Sequence, residues 1–233
     1  MFDLLAAATL CGAAAWVTAA YSLALATSAP GRFLIAASMT LWLGGVLWLG
    51  ATRVLLDAFW LGLPGLAWAV AVPIAVLVTW LLGTQDGRRR VARAPLPALV
   101  AVQSVRVLGI WFVVLHAAGR LPAPFAPVAG WGDILAGVLA VPAAWLALRR
   151  PDRGRGAILT WNVIGAVDLI AAVSLGLTSL PGPLRVFMGE PGSGPMNVLP
   201  WIVIPGFLVP SLLTLHFVVF HRLRRKPPAL GSP

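Results

Sequence analysis

Arg106 and Asp168 each stand inside a long apolar run, where a charged side chain costs about 2.5 kcal/mol or more at the centre of a membrane helix. Arg106 falls about nine residues into one run, roughly 13 Å from its edge at the α-helical rise. Asp168 falls about eleven residues into another, roughly 16 Å from the edge on the same side. Opposite charges at matching depth predict an ion pair across the interior of a helix bundle. Trp161, Gly165 and Asp168 share a helical face at i, i+4 and i+7. Gln103 lies about 60° from Arg106 around an α-helix. Asn162 and His216 sit lower, toward the same edge, and extend the pair into a polar column. Gln103, Arg106, Asn162, Asp168 and His216 are therefore the candidate ligand-binding residues, suited to a small molecule, an ion or a proton. No catalytic or metal-ligating residue is assigned.

Other chemistries are disfavoured by spacing or composition. A haem held by two histidines needs both at one depth, and His116 and His216 are expected about 20 Å apart along the membrane normal. A retinal Schiff base needs a lysine within the membrane, and the single lysine is Lys226. Neither a Gly-rich phosphate loop nor a His-Glu-x-x-His motif is present. Cys11 is the only cysteine, so no internal disulfide forms, and a packed, inert thiol is expected. No cofactor is expected. Gly130-Trp131-Gly132-Asp133 spells G-x-G-D and resembles the second aspartate motif of intramembrane aspartyl proteases. That resemblance implies a partner carboxylate close enough to share a proton. Here the motif precedes the other candidate, Asp168, whereas in that family it comes second. Asp133 is also expected to open the fifth helix as its N-cap, about 14 Å shallower than Asp168.

Seven apolar runs must position these residues: 4–26, 33–56, 63–82, 97–118, 133–148, 157–177 and 201–220. About 20 apolar residues cross a hydrocarbon core about 30 Å thick. The fifth run is short and carries Pro142, and it has room to begin earlier, around Val128. Pro205, Gly206 and Pro210 are expected to kink the seventh. Gly132, Ala136 and Ala140 recur every four residues, a spacing that lets helices approach closely. Trp60, Trp80, Trp131 and Trp201 fall near run ends, as an interfacial aromatic belt requires. The Pro- and Gly-rich stretches 119–132 and 178–200 read as outer connections.

Only 10% of the 233 residues are charged, well below the roughly 25% of a soluble domain, and 60% are hydrophobic. The net charge of +10 does not point to nucleic acid, because the arginines cluster between apolar runs. They read instead as orientation signals. With the C-terminus inside, 13 Arg and Lys residues lie on the cytoplasmic side and three, Arg53, Arg120 and Arg185, lie outside. Arg106 is the remaining one of the 17. The expected fold is an all-α polytopic transmembrane bundle of seven spans, N-out and C-in. Residues 1–226 form the membrane domain, and 227–233 are expected to be a disordered cytoplasmic tail. A cleaved signal peptide is not expected, since the first residues carry Asp3 and no base.

The runs Gly119-Arg120-Leu121-Pro122, Gly130-Trp131-Gly132-Asp133, Trp161-Asn162 with Asp168, and Ile204-Pro205 with Val209-Pro210 and His216 resemble a group of uncharacterised bacterial multispan membrane proteins. The resemblance covers about residues 100–221. It implies a bacterial inner membrane and no particular activity. The expected function is small-molecule, ion or proton-linked transport or binding at a polar site between spans 4, 6 and 7. A membrane-embedded enzyme acting on a lipid or peptide and a structural subunit are the alternatives. Membrane lipids are the expected partners, with a small molecule or ion as ligand and no nucleic acid; nothing in the sequence specifies an oligomeric state.

Overall fold

Backbone in hydrocarbon has to satisfy its N–H and C=O groups within its own segment, so long uncharged runs wind into helices. The computed structural model describes residues 2–224, apart from the side chains of residues 151 and 152. Seven of its helical stretches are long and apolar enough to cross a membrane. Span 1 is α1 (Phe2–Leu25) and span 2 is α2 (Ala29–Thr52). Strands β1 (Phe59–Trp60) and β2 (Leu63–Pro64) form a small antiparallel hairpin. Span 3 is α3 (Gly65–Val78), continued by a π turn at Thr79–Gly83. Helix α4 (Gln85–Arg93) lies between spans 3 and 4. Span 4 joins α5 (Leu96–Ala101), a 3-10 segment (Val102–Gly109) and α6 (Ile110–Ala117). Spans 5 and 6 are α7 (Phe125–Arg149) and α8 (Pro151–Thr178). Span 7 opens with a π turn (Ile204–Leu208) and continues as α9 (Val209–Arg224).

Span 7 occupies the centre of the bundle. It is buried over 78% of its apolar window, against 22–50% for the other six. α9 packs on α3, α5 and α8, while its leading π turn meets α1, α2 and α3. α7 lies against both α8 and the 3-10 segment of span 4. The site residues of spans 4 to 7 therefore converge beside the most enclosed helix.

Span 5 begins at Phe125, well before the expected run at 133 and three residues before the alternative start around Val128. Phe125–Gly132 is uncharged and continues the helix, with Phe125 packed edge-on against Phe112 at 5.5 Å. Asp133 is consequently in the third turn of α7 and not at its N-cap, and the connection after span 4 is only residues 118–124. The later connection, 179–203, is mostly irregular but tied down. Val186 and Phe187 both donate to the Thr178 carbonyl, and Ser193 Oγ donates to that of Gly176.

The basic residues do more than bias orientation. A helix leaves its last carbonyls without intrahelical donors, and cations near that end are favourable. Arg90 donates to Leu25 O at the end of α1, and Arg88 to Leu82 O and Gly83 O at the end of span 3. Arg155 donates to Leu223 O at the end of α9. Helix α4, which the hydropathy reading passes over, is started by Thr84 Oγ1 accepting from Gly87 N. Gly87 allows it to press on the end of span 3, since a Cβ there would lie 2.7 Å from Leu81 Cα.

Two smaller expectations change. Cys11 is exposed on the outer face of α1 and is not packed. Trp201 is fully buried against Trp111 beneath the Arg120 guanidinium, so it is no part of an interfacial belt. The expected tail, residues 227–233, lies outside the described residues.

Candidate functional site

Eight residues of 3-10 helix in the middle of span 4 set up the site, because that geometry has three residues per turn and aligns i with i+3. Gln103, Arg106 and Gly109 stack on one buried face, whereas α-helical geometry would rotate Gln103 away from Arg106. Gly109 and Gly137 bring this segment against α7. A Cβ on Gly137 would lie 2.7 Å from Val107 N, and one on Gly109 would lie 2.9 Å from Gly130 O.

Arg106 is the hub, with its side chain 1% exposed. Nε donates to Asp133 Oδ1 at 2.7 Å, and Nη2 donates to Asp168 Oδ2. Nη1 donates to Gly165 O at 3.0 Å and meets His216 Nε2 at 3.1 Å. The guanidinium thus joins spans 5, 6 and 7 to span 4. Gly132 lets Asp168 reach inward, since a Cβ there would collide with its carboxylate. Gly165 leaves room for the hub in the same way, as its Cβ would fall 2.9 Å from Arg106 Nη1 and 2.6 Å from His216 Cε1.

The hydrogen-bond pattern assigns the His216 tautomer. Nε2 faces an arginine, which can only donate, so Nε2 accepts and the proton sits on Nδ1. Nδ1 donates to Asn162 Oδ1 at 2.8 Å, and Asn162 Nδ2 donates back to His216 O at 3.1 Å. The imidazole packs on Trp161 with ring centroids 5.1 Å apart, and Trp161 Nε1 donates to Ala136 O. Gln103 Nε2 donates to Leu212 O at 2.9 Å, one turn from His216, and Gln103 Oε1 has no partner among the described residues.

Arg106, Asp168, His216 and Asn162 therefore form one continuous network, and Gln103 adjoins it on the same face of span 4. The Arg106–Asp168 contact is the ion pair expected from the matched depths. The sequence reading missed Asp133 as a member. From Phe125, Asp133 is eight residues deep, roughly 12 Å, near the level of Arg106. The available signal was the uncharged stretch 125–132. The depth objection to pairing Asp133 with Asp168 falls away with it. Both carboxylates instead bind neighbouring nitrogens of one guanidinium.

A cavity of about 30 Å³ borders Arg106 and Asp133 and is lined further by Leu10, Phe112, Leu169 and Leu212. That volume holds two or three waters at most, since one needs about 10–15 Å³ by this measure, and it is too small for an organic substrate. Among the described residues no group of three or more His, Cys, Asp or Glu is placed to hold a metal ion.

Residues 63–224 match the family described as Domain of unknown function (DUF8737). The chain belongs to that family. The DUF8737 match takes in every residue of the network and leaves out spans 1 and 2. No curated protein and no solved structure matches the chain.

Proposed function

We propose that the protein is a proton-linked carrier or binding protein of a bacterial plasma membrane, with the Asp133–Arg106–Asp168 cluster as its proton site. One observation carries this reading: two carboxylates share a single buried cation. With all three groups ionised the cluster holds one negative charge too many, and His216 in its assigned tautomer contributes none. An uncompensated charge in hydrocarbon costs several kcal/mol, to order of magnitude, so a counter-charge belongs there. A proton fits the space best. The adjoining cavity accommodates only two or three waters, and Arg106 already takes one oxygen of each carboxylate. Protonating either carboxylate weakens its hold on Arg106. That changes the link between span 4 and either α7 or α8, which is how proton binding would drive a helix movement.

Infrared difference spectra of the reconstituted protein between acidic and alkaline buffers test the proton site. A carboxylic C=O band is expected in the wild type and is expected to vanish in Asp133→Asn or Asp168→Asn. Its absence from the wild type at every pH would overturn the reading. Proteoliposomes with a trapped pH dye then separate carrier from binding protein, because only a carrier acidifies the lumen under an imposed potential.

A further inference from the structure

Spans 2 and 3 do not pack closely on each other, and between them runs an apolar groove of about 520 Å³. Leu34, Ser38 and Trp42 line one wall at α-helical i+4 spacing, and Val72, Val76 and Trp80 line the other in the same way. Tyr21 of α1 closes the back. Eight residues on each wall give a length of about 12 Å, within the roughly 15 Å of one leaflet's half of the hydrocarbon core. Leu34, Val72 and Val76 are 67%, 49% and 62% exposed, so the groove opens sideways toward lipid rather than into the bundle.

One end of this groove is strongly basic. Arg32 is two residues before Leu34, and its Nε donates to Ala26 O. Arg88 holds the carbonyls of Leu82 and Gly83, just past Trp80. Arg90 holds Leu25 O, and its Nη1 lies 3.8 Å from where a Cβ on Gly31 would be, beside Arg32. Each arginine has five N–H donors and commits only some of them to these contacts. Asp86, paired with Arg90, is the acidic partner found among these contacts. Three guanidinium groups with one carboxylate leave a net charge of +2 at the mouth of an apolar slot.

We infer that this groove binds an anionic glycerophospholipid, with one acyl chain between spans 2 and 3 and its phosphate on Arg32, Arg88 and Arg90. The charge at the mouth selects the headgroup, and the one-leaflet depth selects an acyl chain. The site is independent of the proton site proposed above.

Tryptophan fluorescence of the full chain in nanodiscs reads this site, with brominated phosphatidylglycerol compared against brominated phosphatidylcholine at equal mole fraction. The anionic phosphatidylglycerol is expected to quench more strongly, and the excess should fall in Trp42→Phe and Trp80→Phe. Val76→Phe, which narrows the slot with a bulky ring, adds no tryptophan to the readout and leaves the arginine caps intact, is expected to abolish the excess. Arg32→Gln should weaken the preference about fivefold, the usual effect of one basic residue at an anionic surface. Equal quenching by the two lipids overturns the proposal. So does an excess that survives Val76→Phe, which would place the lipid elsewhere, or concentration-dependent dimerisation that covers the groove.

Discussion

Arg106 holds two carboxylates, a backbone carbonyl and an imidazole, so its removal strands more than one partner. Arg106→Leu is expected to destabilise the bundle by about 3–5 kcal/mol, the range for breaking a buried pair from one side. Removing Asp168 as well should recover part of that loss, because one fewer charge is left alone. A double-mutant cycle of Arg106→Leu and Asp168→Leu, read by detergent unfolding, measures the coupling, and strict additivity would dismantle the pair. Recovery should remain incomplete, since Asp133 is still stranded, and adding Asp133→Leu should carry it further. Asp133→Asn is likewise expected to disturb this cluster, which a helix cap would not do. Gly165→Ala is a separate test of the hub. Its methyl would press on Arg106 and His216, and a loss of about 1–3 kcal/mol in the same assay is expected for overpacking of this kind.

At the scale of elements, the contact between span 4 and α7 depends on glycines whose backbones nearly touch. Gly137→Ala would place a methyl 3.0 Å from Arg106 C and 2.7 Å from Val107 N, and backbone yields less readily than a side chain. A destabilisation of about 1–3 kcal/mol is expected, with a shift of Arg106 against its carboxylates. Gly12→Ala in α1 meets nothing within 4 Å and is the matched control, expected to stay within about 0.5 kcal/mol of wild type in thermal unfolding. Equal effects at the two positions would remove the close approach from the account. The two glycines look alike in sequence, because each interrupts an apolar run. What separates them is the neighbour each one faces.

For the whole molecule, the seven candidate spans among the described residues put residues 2 and 224 on opposite sides, and the distribution of Arg and Lys is expected to choose which side is cytoplasmic. Reporter fusions at Arg89, Arg153 and the C-terminus are all expected to read cytoplasmic, and an outer signal from any one would reverse or break that topology. The arginine caps at the ends of α1, span 3 and α9 lie on this same side. Orientation and helix termination therefore draw on the same residues.

The number of candidate spans and the places of Arg106, Asp168, Asn162 and His216 along them were legible in the residues alone. Hydrophobic length is a local property, and a charge inside such a run has few ways to be satisfied. The start of span 5 was not legible, because uncharged residues beside Pro and Gly suit a loop or a helix equally, and with that start Asp133 was misplaced. The 3-10 winding of residues 102–109 carries no Gly or Pro signal before its last residue. It depends on the close packing of that segment against α7. That winding alone stacks Gln103 over Arg106, and the arrival of spans 5, 6 and 7 from distant parts of the chain gathers two carboxylates and an imidazole around one guanidinium. Sequence set how far along its span each polar group lies. Only tertiary packing decided the direction each one faces, because rotation about a helix axis is determined by the neighbouring helices.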